Sequence, residues 1–262
     1  MRNYRYVKRS PFFPIMHGLN KENLSDHKVA MVNEIDMSSV ERLRARVEAE
    51  TGVRPTYTAF VVKAISLALR EHPTANRVPI GPFFWKRIVQ LEDVDMTVAV
   101  ERDQPGIEQA AFAGTVKHTD RLSLAEITGE LRELANATPE SCPRWRAFNW
   151  ICRNLPARLA LWVLSMPRWT ASMWVQHRGG AVMVSSPAKY GVDLMMGAWP
   201  WPLGFSFGYV KERPFVQSGS LTVARTMSIT FSFDRRLMAG APSARFFQTV
   251  CNFLENAETA LG

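Results

Sequence analysis

The pattern that most constrains this chain is the run Phe60, Val61, Ala64, Ile65, Ala68 and Leu69, an apolar face at helical spacing that begins near Thr58 and ends before Pro73. A face this broad must be buried, and a sheet is the natural partner. Strand patterns supply one. His27 to Met37 alternates through Val29, Met31 and Ile35, and Val94, Met96, Val98 and Val100 alternate before a turn at Asp103-Gln104-Pro105-Gly106. Further strands are predicted over 84–90, 181–186, 203–211 and 221–233. Ser38-Ser39-Val40-Glu41 reads as a capping box for a helix that carries Leu43 and Val47 on one face and stops at Gly52 and Pro55. Ser123 to Glu126 reads as a second capping box, with Ile127, Leu131 and Leu134 inward, and Pro242 starts a final helix carrying Phe246, Phe247, Val250, Phe253, Leu254 and Leu261. Strands and helices mix without a regular βαβ repeat, so the expected class is α+β with a mixed or antiparallel sheet, not a Rossmann domain. No internal repeat and no low-complexity linker is found.

With 262 residues, 47% of them apolar, the chain can bury a sizeable core without staples. Its net charge of +8 is local. Residues 1–14 hold Arg2, Arg5, Lys8 and Arg9 without an acid, and 140–180 hold six Arg against Glu140 alone. The remainder is close to neutral, which disfavours a nucleic-acid surface, because tracking phosphates needs cations spread along a whole groove. Cys142, Cys152 and Cys251 form no disulfide framework and no zinc spacing, which fits a reducing cytoplasm. The run Phe12 to Met16 is too short for a signal-peptide core, and Leu155 to Met166 falls short of the roughly 20 residues that span a bilayer. The five histidines show no metal-ligand spacing, and neither a P-loop nor a G-x-G-x-x-G is present.

Five of the eight Trp fall between Pro143 and Gln176, interleaved with Arg. This stretch reads as one or two amphipathic helices broken at Pro156 and Pro167. Trp and Arg are enriched both at binding hot spots and at membrane interfaces. One reading is therefore an interaction surface for a protein or a membrane, represented by Arg158 and Trp162; the other is a lid packed over a neighbouring cleft. The basic N-terminal arm, with Tyr4, Tyr6, Phe12 and Phe13, is expected to wrap its own domain or a neighbouring subunit.

Chemistry centres on Ser232-Phe233-Asp234-Arg235-Arg236-Leu237-Met238-Ala239-Gly240-Ala241, a strand that runs through a charged turn into a helix. It resembles the S-F-D-H-R-x-x-D-G-A motif of the acyltransferase core of 2-oxoacid dehydrogenase complexes, a family distantly shared with chloramphenicol acetyltransferase. Other blocks are similar to that family in the same order. They are Glu34-Ile35-Asp36-Met37, the helix from Thr58 to Pro73, the strand Asp93 to Val100, Arg121-Leu122-Ser123-Leu124-Ala125-Glu126-Ile127, Val184-Ser185-Ser186 where the family has I-S-N, and Gly204 to Pro214. The resemblance covers 28–262 apart from an insertion at about 143–176, and it leaves 1–27 as an arm.

The resemblance implies a chloramphenicol-acetyltransferase-like two-layer α+β fold, assembled as a homotrimer with channels between subunits and, in some relatives, as a larger cage. It implies coenzyme A or an acyl-CoA as ligand, no metal, and a motif histidine acting as general base on a thiol. Here Asp234, Arg236 and Gly240 match the motif, but Arg235 stands in the histidine position and Ala239 in the aspartate position. A guanidinium, with a pKa above about 12, accepts no proton near neutrality. Ser185 or Ser186 remains a candidate oxyanion hydroxyl, set against the plain reading of a turn residue. His177 is the remaining candidate base. Arg235 and Arg236 read either as a clamp for phosphate or carboxylate or, the favoured reading, as an internal ion pair of Arg236 with Arg235 filling the vacated position. No lipoyl-type domain and no subunit-binding domain with a flexible linker is seen. Three functions follow: a trimeric scaffold or ligand-binding pseudoenzyme, an active CoA-dependent acyltransferase using Ser185, Ser186 or His177, and a docking module acting through 143–176.

Overall fold

The computed structural model describes residues 15, 28–81, 87–101, 112–138, 140–197, 199–217 and 219–262. In chain order they form β1 (Lys28–Asp36), α1 (Ser38–Thr51), α2 (Tyr57–Glu71), β2 (Arg77–Ile80), β3 (Arg87–Gln90), β4 (Met96–Val100) and β5 (Phe112–Val116). Then come α3 (Leu124–Asn136), α4 (Pro143–Asn154), α5 (Ala157–Ser165), α6 (Ala171–Arg178), β6 (Val182–Ser185), β7 (Leu203–Phe207), β8 (Lys211–Gln217), β9 (Ser220–Asp234), α7 (Gly240–Glu255) and α8 (Ala257–Ala260).

A mixed sheet runs β1-β9-β7-β6-β4-β5, with β8 paired to β9, while β2 and β3 make a separate hairpin. β6 lies parallel to both β4 and β7; the other pairings in the sheet are antiparallel. Strand alternation sends Leu203, Phe205, Phe207, Ile229, Phe231 and Phe233 to one face, where they share a core with the buried face of α2 and with Phe246, Phe247 and Val250 of α7. Phe231 stacks on Phe247 with ring centroids 5.5 Å apart and meets Phe246 edge-on at 5.4 Å. Each fully buried phenylalanine contributes roughly 2 kcal/mol by leaving water. The opposite face carries Ser206, Ser228, Thr230 and Ser232. Over β4 and β6 it is covered by a cluster of Val78, Ile80, Trp174, Ala181, Met183 and Trp201. A third cluster, Ile15, Phe112, Trp145, Cys152 and Ala160, fastens α4 and α5 to the β5 edge.

The helix at 57–71 forms as its spacing predicts, capped by Thr56, whose hydroxyl accepts from the Ala59 amide. The Ser123 to Glu126 capping box is complete. The one at Ser38 does not form: the Ser38 amide and hydroxyl both donate to Asp36 Oδ1, at 2.9 and 2.6 Å, and α1 starts at that residue without a side-chain cap. An aspartate two residues upstream competes locally for the same donors. The Trp/Arg stretch, expected as one or two helices, is three with a 3-10 turn at Met166–Arg168, because the breaks near Pro156 and Pro167 both divide it. The span 203–211 is interrupted after Phe207, where the Gly208 amide donates to the Ser228 carbonyl, and the chain re-enters the sheet as β8. The final helix starts at Gly240, two residues before Pro242. The arm (Ile15 apart), His17, His27 and the turn at 103–106 lie outside the described residues. Among the described residues no helix is long and apolar enough to cross a membrane.

Candidate functional site

β9 is antiparallel to β7, pairing Phe233 with Leu203, and the Asp234 amide donates to the Pro202 carbonyl at 2.9 Å. The motif turn therefore sits at the end of the sheet where β6 and β7 begin. Asp234 is buried and accepts a forked pair of bonds from Arg236, Nε to Oδ1 at 2.9 Å and Nη2 to Oδ2 at 2.6 Å, and its Oδ1 also accepts from the Arg236 amide at 3.0 Å. Burial alone would raise the Asp234 pKa. The Arg236 bonds, with the charges of Arg236 and Lys28, outweigh it and hold the carboxyl below the ordinary carboxylate range.

Lys28 completes this corner. Its Nζ donates to the carbonyls of Trp201 at 2.5 Å and Pro202 at 2.9 Å, bracing the segment that Asp234 also grips. Desolvation pulls its pKa down to about 8, with Asp234 working against that and Arg236 adding to it. Sequence reasoning missed Lys28. No local pattern marks it, because its place directly opposite Asp234 on β1 is set by strand pairing.

Arg235 is exposed on this turn, and Ala239 occupies the N-cap of α7 without a side-chain cap bond. Arg236 thus takes the internal ion pair, leaving Arg235 pointing away from the core. Gly240 is the first residue of α7.

The serines lie at the other end of the sheet. Ser185 closes β6 and pairs with Ser206 of β7, four residues along from the level of Pro202, a distance of roughly 13 Å at strand rise. Ser186 donates to the Phe207 carbonyl at 2.8 Å and accepts from the Ala188 amide at 3.2 Å, the bonding of a turn residue. His177 is exposed in the last turn of α6, upstream of Val182, and so at the opposite end of β6 from Ser185. A single chain does not bring Ser185, Ser186 and His177 together. Of the other described histidines, His72 Nε2 bonds Thr249 Oγ1 at 2.8 Å, while His118 Nδ1 lies 3.4 Å from Asp93 Oδ1 without a hydrogen bond.

Arg178, also missed, ties the Trp/Arg helices to the sheet. Its guanidinium lies over the rings of Trp174 and Trp201, 5.5 and 5.6 Å from their centroids, and donates to the Pro200 carbonyl. Its own carbonyl accepts from Thr97 Oγ1 and Trp201 Nε1. Gly179 follows with φ +73, and a Cβ on Gly180 would overlap the Asp95 carbonyl oxygen, so α6 reaches β6 only through this pair of glycines.

The cysteines are unpaired; burial pushes Cys152 up to about 12 and Cys251 up to about 11, so neither is an activated nucleophile. Among the described residues no three His, Cys, Asp or Glu are grouped to hold a metal.

A family model described as 2-oxoacid dehydrogenases acyltransferase (catalytic domain) matches residues 15–142 and 175–262. The chain is similar to the dihydrolipoyllysine-residue acetyltransferase component of pyruvate dehydrogenase complex from Acholeplasma laidlawii, 25% identical over 239 residues, covering 87% of this chain and 36% of that protein. It is also 25% identical over 232 residues to the succinyltransferase component of 2-oxoglutarate dehydrogenase complex from Bartonella vinsonii subsp. berkhoffii, covering 86% of this chain and 47% of that one. The chain thus spans less than half the length of these two relatives. Among solved structures, a dihydrolipoamide acetyltransferase from Azotobacter vinelandii shares its fold with a TM-score of 0.73 at 18% identity, over 99% of this chain and 95% of the other. A chloramphenicol acetyltransferase does so with a TM-score of 0.53 at 13% identity, over 91% and 94%.

Proposed function

Because the chain belongs to the 2-oxoacid dehydrogenases acyltransferase family, we propose that it is a homotrimeric acyltransferase-fold core that no longer activates a thiol and serves as a scaffold or ligand-binding pseudoenzyme. The observation that carries this reading is the motif turn itself. The Asp234–Arg236 pair that frames the turn is intact, while Arg235 and Ala239 stand where the resemblance implies a base and its supporting acid. A guanidinium keeps its proton at neutral pH, so the attacking thiol has no acceptor there.

The placement of Ser185 at the far end of the sheet from Arg235 supports the trimer, because a site using both ends is completed only between two subunits. The family's solved members include a pyruvate dehydrogenase cubic core, so a larger cage is the further extension of this reading. The expected ligand is coenzyme A or an acyl-CoA. Arg235, exposed on the turn and outside the Asp234–Arg236 pair, offers a cation suited to its phosphates. The core is assigned to 28–262, preceded by the arm 1–27, and the match that omits 143–174 supports an insertion there. The unpaired cysteines support a cytoplasmic setting.

The test is calorimetry with coenzyme A and acetyl-CoA, a thiol-release assay on the same sample, and sedimentation for the assembly state. A trimer with no release above buffer is expected, and Arg235→His combined with Ala239→Asp is expected to raise release by about a hundredfold, the lower end of what a positioned base supplies. Release by the unaltered protein that disappears on changing Ser185, Ser186 or His177 would overturn the reading in favour of an active acyltransferase.

A further inference from the structure

The helix α5 is apolar on both sides. Ala160, Leu161 and Leu164 face the cluster around Trp145, while Leu159 and Trp162 point outward, 44% and 50% exposed. A helix apolar all round is ordinarily buried on all sides. Its neighbour α4 adds Trp150, 57% exposed, and between the two helices runs an open, mostly apolar groove of about 770 Å³, lined by Pro143, Ala147, Trp150, Ile151, Leu155 and Val163 together with Arg146. Trp169, just beyond, packs edge-on against Trp162 with centroids 5.5 Å apart and is 40% exposed. Every exposed tryptophan among the described residues lies on this one segment.

Charge selects the occupant. From Ser141 to Val192 there is no acidic residue, while six Arg and Lys189 are present. Arg146, Arg153 and Arg158 are exposed and flank Trp150, Leu159 and Trp162. Indole rings and leucines set where cations far outnumber acids, with Glu140 beside Arg146 the nearest acid in sequence, is the composition of a helix that lies in the headgroup region of an anionic bilayer, where ring and stem enter the lipid and the guanidiniums stay with the phosphates. The nine residues of α5 span about 14 Å, less than half a hydrocarbon core, so the segment lies along a membrane and does not cross it.

We propose that the outer face of α4 and α5 docks this protein on an anionic phospholipid bilayer, with Trp150, Leu159 and Trp162 entering the interface and Arg146, Arg153 and Arg158 engaging the lipid phosphates. The surface is independent of the motif turn, so the proposal stands or falls apart from the pseudoenzyme reading.

The experiment is co-sedimentation of the full chain with vesicles of phosphatidylcholine alone and of phosphatidylcholine mixed with phosphatidylglycerol, at low and high salt. Two variants accompany it, Trp150→Ala with Trp162→Ala and Arg153→Glu with Arg158→Glu. All four positions are exposed, so circular dichroism and sedimentation should show an unchanged fold and assembly. Binding to the anionic vesicles at least tenfold tighter than to the neutral ones is expected, weakening with salt and falling at least tenfold in each variant. Absence of binding to anionic vesicles, or equal binding by both variants, overturns the proposal. So does a shift of the unaltered protein from a larger to a smaller assembly in either variant without vesicle binding, which would make the face a contact between copies of this chain.

Discussion

The turn at Asp234–Ala239 follows the end of β9, inside the sheet, whereas the helices α4 and α5 pack on its β5 edge, yet the two regions divide their residues in the same way. In the turn, the bonded frame is kept and the groups outside it depart from the motif: buried Asp234 holds Arg236 and lies opposite Lys28 on β1, while Arg235 and Ala239 are exposed. In the helical segment the inward residues are the ordinary contents of a core, and the outward ones are the unusual part. Trp145 is fully buried against Phe112, at 4.9 Å between ring centroids, whereas Trp150, one turn along the same helix, is mostly exposed. In both regions the buried side chains explain why the chain folds, and the exposed ones hold whatever function it has.

This comparison is broken most directly by Trp145→Ala, which empties the centre of the cluster under α4 and α5. It should cost about 4 kcal/mol, read by urea unfolding. If the segment unfolds by itself, hydrogen exchange will show α4 and α5 losing protection before the sheet does. Gly180→Ala attacks the link between the regions, since its Cβ would overlap the Asp95 carbonyl oxygen. A loss of about 3 kcal/mol is expected, because backbone on both sides must shift.

The turn is probed by pH. Lys28 has a folded pKa of about 8 against an ordinary 10.5, so between those values the unfolded chain binds more protons and stability rises with pH. The rise attributable to this group is about 3 kcal/mol in total, and Lys28→Met should remove it from the difference between unfolding curves measured at the two ends of that window. Asp234 acts with the same sign in the acid range, since its pKa is also lowered on folding. Its folded pKa is depressed, so its contribution is present above the ordinary carboxylate pKa and is lost as the solution is acidified through the folded value. Asp234→Asn should cost about 2 kcal/mol at neutral pH, allowing for the half-exposed Arg236, and should flatten the acid limb of the stability profile. The smallest effects are expected at Arg235→Ala and Trp150→Ala, each within about 0.5 kcal/mol by thermal unfolding, because neither side chain is part of a packed core. A large loss at either would show that the exposed groups carry structure after all.

Local pattern was enough to read the helix at 57–71, the capping box at Ser123 and the alternation of β4 and β9, since each depends on residues a few positions apart. The Ser38 capping box failed for an equally local reason, as Asp36 took its donors. β5 was not read at all, because Ala113 and Gly114 are poor strand signals. Gly114 belongs there since Leu134 of α3 packs where its Cβ would be.

By itself the sequence determined the fold class, the family, the departure at Arg235 and Ala239, and the concentration of Trp and Arg in one segment, because these are properties of residue order and spacing. Only the tertiary structure decided that Ser185 and the motif turn lie at opposite ends of the sheet, that Lys28 and Arg178 brace the Pro200–Pro202 segment beside the turn, and which tryptophans face water. Those facts depend on strand pairing across long separations: Lys28 meets Asp234 through a register set by the whole length of β1 and β9, and no pattern within either strand specifies its partner.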